Sequence, residues 1–201
     1  MKGGKYERMR KFKNWLLNTF CMNELMDFQD YYLGNIRKIE NEANRKNQDI
    51  DIVHRILSEK NNVIVGEADN KNGEHVFIVQ HVNGNSIEFM LYSNRYKAIN
   101  NHPRIMATYN DFFDDNSYVK IDDIIVEDND VGNGSILMPF FIDYCKRFTE
   151  AKRITGWLSS VDSGHFDRST YFYKKHGFEV ELNTDDNTGS IEYRLREVDV
   201  Q

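Results

Sequence analysis

Two short segments carry residues whose types and spacing could do chemistry. The first is Val131-Gly132-Asn133-Gly134-Ser135, between the apolar run Ile124-Ile125-Val126 and the apolar start Ile136-Leu137-Met138. A strand that feeds a glycine turn opening a helix makes an anion cradle. Glycines let the backbone approach a phosphate closely, and the free N–H groups of the first helical turn point at it. By itself, Gly-x-Gly also serves as a tight turn with no ligand. The segment lacks the third glycine of a dinucleotide fingerprint and the Gly-Lys-Ser/Thr of a nucleotide-binding P-loop. The second segment is Tyr171-Phe172-Tyr173-Lys174-Lys175-His176-Gly177-Phe178, a helix end rich in aromatic groups. Core packing of Phe172 and Phe178 on a capped helix would account for it without any chemistry.

Other candidates are weaker. The polar run from Ser159 to Arg168 holds His165 and Asp167 beside serines, but these lie too close together for a hydrolase triad and no nucleophile-elbow pattern surrounds them. The run should lie at a cleft rim, where Asp162 or His165 could touch a ligand, and Asp167 reads more plainly as a helix cap. His54, His75, His81 and His102 have no metal-ligand spacing, so no metal site is expected. Cys145 falls on an apolar helical face and reads as a small buried residue.

The elements that must position these residues fall into two stretches. Residues 6–60 have little punctuation beyond Gly34, and Trp15, Leu16 and Phe20, then Ile36, Ile39, Ile52, Ile56 and Leu57, recur at helical spacing. A helical hairpin is expected there. After Asn62 the pattern turns to strands: 63–65, then 75–82 and 87–92 around the turn Asn83-Gly84-Asn85-Ser86. Residues 94–116, broken by Pro103, read as an irregular or partly helical excursion. Strand 118–126 leads into the glycine turn, and Ile136, Leu137, Phe140, Phe141, Tyr144 and Phe148 mark a helix to about Ala151. A strand at 154–158, a helix at 167–176 ended by Gly177, and strands at 178–182 and 190–195 complete the order.

Composition excludes several classes. With 26 basic against 32 acidic residues and a formal net charge of −6, the chain has no general reason to bind nucleic acid or an acidic membrane face. Two cysteines, Cys21 and Cys145, cannot build a multi-disulfide framework or a four-thiolate zinc site. No apolar run approaches the roughly 18–20 residues of a membrane helix. The basic start is interrupted by Asn14, Asn18 and Asn23 before it could form a signal-peptide core. A cytoplasmic protein with free thiols is expected.

Together, the glycine turn, the aromatic helix end and the strand between them resemble the GNAT superfamily of acetyl-CoA-dependent N-acyltransferases, over about residues 118–195. The family turn reads (Gln or Arg)-x-x-Gly-x-(Gly or Ala) after a strand, and Asn129-Asp130-Val131-Gly132-Asn133-Gly134 occupies it. The run Phe172-Tyr173-Lys174-Lys175-His176-Gly177-Phe178 is similar to the family's Phe/Leu-Tyr-x-Lys-x-Gly-Phe signature. Two departures stand out. Asn129 replaces the usual Arg or Gln, and Pro139 falls where its ring should crowd the Ser135 carbonyl, so a bend or a late helix start is expected.

The resemblance implies an α/β (α+β) fold with a mixed, mostly antiparallel sheet flanked by helices. It divides the chain into a helical N-terminal region, 1–60, and a GNAT-like acetyltransferase domain, 61–201. It implies an acyltransferase that uses acetyl-CoA as co-substrate, its pyrophosphate on Val131, Gly132, Asn133, Gly134 and Ser135 and its pantetheine arm along Ile124, Ile125 and Val126. Tyr173 would be the general acid that protonates the leaving thiolate, a task suited to a phenol. A primary amine, on a small molecule or a peptide, would attack directly. Asp122, Asp123 and Glu127 are the candidates for its base, with Asp122 first because it shares a face with Ile124 and Val126 unless a bulge intervenes. For each one taken singly, a solvated strand end or a salt bridge is the plainer reading. A catalytically silent acyl-CoA-binding module, or an interaction protein whose glycine turn is blocked by a side chain, is the competing reading. Strands ending at an exposed edge would let two copies pair as a homodimer.

Overall fold

In the computed structural model of this chain, residues 3–96, 101–111, 116–126, 128 and 130–195 are described. The chain divides into two compact units, residues 1–50 and 51–201.

The first unit is helical. Helix α1 (Gly3–Leu16) runs through a π-helical segment (Leu17–Cys21) into α2 (Met22–Ser58), whose last residues belong to the second unit. The junction residues Leu16 and Met22 both keep right-handed helical backbone, so the chain does not turn back between them. This corrects the expected hairpin. Its physical reason is the lack of a stop. Gly34 lies inside α2, where glycine costs about 1 kcal/mol relative to Ala without forcing a turn. The polar stretch 41–49 solvates the helix rather than interrupting it.

The second unit is built on eight described strands, β1 (Asn62–Asp69), β2 (His75–Asn83), β3 (Ser86–Tyr92), β4 (Arg104–Asn110), β5 (Tyr118–Ile125), β6 (Arg153–Leu158), β7 (Glu179–Asn183) and β8 (Thr188–Arg194). Their order is β1-β2-β3-β4-β5-β6-β8-β7, antiparallel throughout except for β5 and β6. Helix α3 (Asn133–Phe148) makes the crossover that a parallel pair requires. Helix α4 (Phe166–Lys175) joins β6 to β7 after a short 3₁₀ turn (Ser160–His165). The α/β class and the mixed, mostly antiparallel sheet flanked by helices are as expected.

Alternation along the central strands divides the apolar residues between two clusters. Val76 and Ile78 of β2 join Phe89, Ile105, Val119 and Ile154 against Leu137, Met138, Phe141 and Cys145 of α3. Phe77 and Val79 point the other way and pack with Met90, Tyr92 and the end of α2 through Ile52 and Ile56. Such period-two partition is what a sheet covered on both faces imposes.

Strand β4 overturns the reading of 94–116 as irregular or partly helical. Pro103 sits just before the strand, where its missing N–H subtracts nothing from the ladder and its carbonyl accepts from Leu91 N (2.9 Å). Buried Ile105 and Ala107 then alternate with half-exposed Met106 and Thr108. Phe112, Phe113, Asp114 and Asp115 lie outside the described residues. Helices α1 and α2 precede the whole sheet in the chain, and β1 passes directly to β2 through residues 70–74.

Candidate functional site

The parallel ladder between β5 and β6 is short. It runs from Tyr118↔Arg153 to Ile121↔Gly156 and stops, while β5 continues to Ile125 and β6 to Leu158. Beyond Ile121 the two strands have parted, leaving the β6-facing edge at Ile124 and Ile125 without a ladder partner there.

A bulge sits where the ladder ends. Met106 pairs with Asp123 but Ala107 pairs with Ile121, so Asp122 is the extra residue of β5. Both Asp122 and Asp123 are exposed, whereas Ile121 and Ile124 pack on the α3 cluster. Asp122 therefore does not share the face of Ile124, which corrects the facing that ranked it first among base candidates. An extra residue shifts the alternation by one. Its carboxylate accepts from Thr108 Oγ1 (2.6 Å) and lies 3.3 Å from Lys120 Nζ. Glu127 and Asn129 lie outside the described residues.

At the glycine turn, Gly132 has φ 90° and ψ 6° and forms the N-cap of α3, a backbone that disfavours any side chain. Its carbonyl accepts the first helical bond from Ile136 N (3.0 Å). The helix starts at Asn133, so Pro139, six residues further on, does not delay it, against the expected late start. A Cβ on Gly134 would lie 3.2 Å from the Phe172 ring and 3.5 Å from Val126 Cγ1. The end of β5, the start of α3 and the aromatic end of α4 thus converge at Gly134. The glycines have packing reasons of their own, independent of any ligand.

Two cations flank the turn. Lys71, from the β1–β2 connection, donates its backbone N–H to the Val131 carbonyl (3.0 Å) and lays its flexible stem alongside Gly132. Lys175 Nζ donates to Ser135 Oγ (3.2 Å), and His176 Nε2 lies 3.4 Å from the same hydroxyl. Burial, then the neighbouring Lys175 charge, push the His176 imidazole below its usual value. No acidic side chain occupies the first turn of α3. An anionic group therefore fits this end of the helix, where aligned peptide dipoles add to the positive field.

Asn133 as a whole is 1% exposed, and its side chain faces inward. Its Nδ2 donates to Tyr96 Oη (2.7 Å), whose hydroxyl donates to Asp128 Oδ2 (3.0 Å). Asp128 also pairs with Arg95 (2.8 Å), and Asn70 Nδ2 reaches Asn133 Oδ1 at 3.5 Å. Burial is the main cause that pushes the Tyr96 phenol up to about 12.

Tyr173 is buried, in edge-to-face contact with Phe172 and Phe178 (centroids 5.3 and 5.4 Å). Its helix ends as the sequence suggests, with Gly177 at φ 86° and its N–H on the Lys174 carbonyl. Asp167 is not the cap, because it lies in the first turn of α4, where its charge favours the helix dipole. His165 is exposed. Among the described residues no group of three or more His, Cys, Asp or Glu could hold a metal ion.

The site residues missed from sequence are Lys71, Tyr96 and Asp128. Lys71 had a local signal, since Asn72-Gly73 is a hairpin turn pair. Tyr96 and Asp128 had none, because their partners are about 30 residues away.

The fold sets the glycine turn in a mixed α/β architecture, at the start of the crossover between the parallel strands β5 and β6, with β8 inserted between β6 and β7. No family model matches the chain. A stretch of 62 residues is 37% identical to the uncharacterized protein YocC of Bacillus subtilis (strain 168), covering 31% of this chain and little more than a third (37%) of that protein. Among solved structures, the chain is similar to an acetyltransferase of the GNAT family from Streptococcus pneumoniae, with 14% identity and a TM-score of 0.42 over 55% of this chain and 66% of that one. It is also similar to the GNAT domain of S. lividans PAT, with 7% identity and a TM-score of 0.47 over 64% and 96%. Likenesses this partial carry neither activity nor substrate across.

Proposed function

We propose that the chain is an acetyl-CoA-dependent N-acetyltransferase that moves an acetyl group to a primary amine by direct attack. The observation that carries this reading is the parallel ladder that ends at Ile121 and Gly156 just before a glycine turn opens α3. In it, the backbone of Val131, Gly132, Asn133, Gly134 and Ser135 holds the pyrophosphate, with Lys71 and Lys175 supplying charge that Asn129 cannot. The free edge at Ile124, Ile125 and Val126 pairs with the pantetheine arm and polarises the thioester carbonyl. One backbone donor of that kind contributes about 10²–10³ in rate in other enzymes. As the amine nitrogen bonds to the carbonyl carbon, the carbon–sulfur bond breaks and Tyr173 protonates the leaving thiolate. The proton lost by the amine passes, directly or through water, to one of the two exposed carboxylates at the bulge, Asp122 or Asp123.

We assign these roles to a catalytic domain, 61–201, preceded by a helical region, 1–60. The acceptor is an amine on a small molecule or a peptide. Nucleic acid and membrane have no part in the reading. Among the described residues no helix is long and apolar enough to cross a membrane, and we place the protein in the cytoplasm.

Calorimetric titration with acetyl-CoA tests the reading. Saturable binding below millimolar concentration supports it, and no binding by folded protein up to millimolar acetyl-CoA sinks it. Turnover over an amine panel, read as released thiol, should fall about 10²-fold or more in Tyr173→Phe with acetyl-CoA affinity kept, the range general acids contribute. A second reading, an acyl-CoA-binding module without turnover, is favoured by one observation: Lys120 and Thr108 already engage the Asp122 carboxylate. Binding with no turnover on any amine would select it.

A further inference from the structure

The hydroxyl of Tyr96 joins three separate segments of the second unit. A carboxylate only accepts, so the Tyr96 O–H must donate to Asp128 (3.0 Å). The phenol oxygen is then left to accept Nδ2 of Asn133 (2.7 Å), which turns the Asn133 carbonyl oxygen toward Asn70 Nδ2 (3.5 Å). The hub is itself anchored. The Tyr96 backbone N–H donates to Ser93 Oγ (3.3 Å), and that hydroxyl donates to Glu74, which also holds Asn70 (3.2 Å). Asn133 stands between the two glycines and is the first residue of α3, so the orientation of its side chain and of the peptide planes on either side are linked. With Tyr96 2% and Asn133 1% exposed, water does not readily replace either partner.

We infer that Tyr96 is a positioning residue, which by gripping Asn133 and Asp128 on one hydroxyl fixes the aim of the glycine-turn N–H groups and hence the affinity for acyl-CoA phosphates. The link to affinity rests on the acetyltransferase reading, whereas the link to the shape of the turn does not.

Tyr96→Phe keeps the ring and removes only the hydroxyl, and two measurements separate its effects. The first is native-state amide exchange in ligand-free protein at Lys71 and Ile136, whose N–H groups bond to the Val131 and Gly132 carbonyls. Exchange at these two sites should rise about tenfold in Tyr96→Phe while β2 and β3 amides keep their protection. Asn133→Ala cuts the same link from the other side and should give the same pattern, the double variant adding nothing further. Unchanged exchange at Lys71 and Ile136, or an equal rise across β2 and β3, overturns the positioning role. The second measurement is acetyl-CoA affinity, which should weaken about tenfold in Tyr96→Phe. Local loosening with wild-type affinity overturns the link to the ligand. Local loosening in a protein whose wild type binds no acetyl-CoA upholds the hub and ends the acetyltransferase reading instead.

Discussion

Burial sets the chemistry of single side chains most clearly at Cys145 and His102. Cys145 is 0% exposed on α3, and burial pushes its thiol up to about 12. Little of the thiol is then ionised near neutral pH, and the thiolate is the reactive form. In a Cys21→Ser background, Cys145 should stay unmodified by an aromatic disulfide reagent under native conditions and react fully once unfolded; fast native labelling would contradict its burial. His102 is 2% exposed, stacked on Tyr92 (4.0 Å), with Nδ1 3.0 Å from the Leu91 carbonyl oxygen. Burial lowers its pKa below the usual 6.5, the Leu91 bond opposes that, and the Arg55 charge adds to the lowering. The unfolded chain therefore takes up the proton more readily. This contribution to stability is fully present above about pH 6.5 and is lost as pH falls through the lowered folded value. His176 acts in the same sense. Denaturation midpoints should drop between pH 7.5 and pH 5, and the drop should be smaller in His102→Gln.

Among the elements, the turn into α3 depends most on residue identity. An alanine at Gly132 would hold φ near +90°, which costs roughly 1–2 kcal/mol for an L-residue. At Gly134 the backbone is ordinary, and alanine must instead push the Phe172 ring from a 3.2 Å contact. Gly132→Ala should lower the free energy of unfolding, read from urea titration, by that amount whatever Phe172 does. Gly134→Ala should recover part of its loss in a Phe172→Leu background, and equal losses in both backgrounds would show that the ring is not the obstacle. Elements defined by local pattern were legible in the sequence. The β2–β3 hairpin is fixed by Gly84-Asn85 between alternating apolar runs, with Asn83 paired to Ser86, and α4 by its basic end and Gly177. What was not legible needed a partner from elsewhere. Strand β4 looks unpromising until β3 and β5 are on either side, and the bulge that turns Asp122 from the Ile124 face exists only against Met106 and Ala107. The helical character before residue 60 was legible from apolar spacing, but that spacing does not distinguish a hairpin from a continuous helix, and the polar stretch 41–49 stays helical.

At the scale of the molecule, both apolar clusters lie in the second unit, because Ile52 and Ile56 at the end of α2 pack with Phe77 and Met90. Removing residues 1–50 should therefore leave a chain that melts cooperatively near the full-length midpoint; a broad or much lower transition would mean that the first unit holds the sheet together. The sheet order has a further consequence for synthesis. Strands β2 to β5 each pair with the strand just before, so that meander can zip together as it leaves the ribosome. The far edge cannot, because β7 is tied to the sheet only through β8, which is made after it and slots between β6 and β7. The final strand is thus a latch for two. A message cut short before Thr188 would lack β8, leave β7 unattached and leave β6 as a bare edge, the kind of surface on which nascent chains stick to one another.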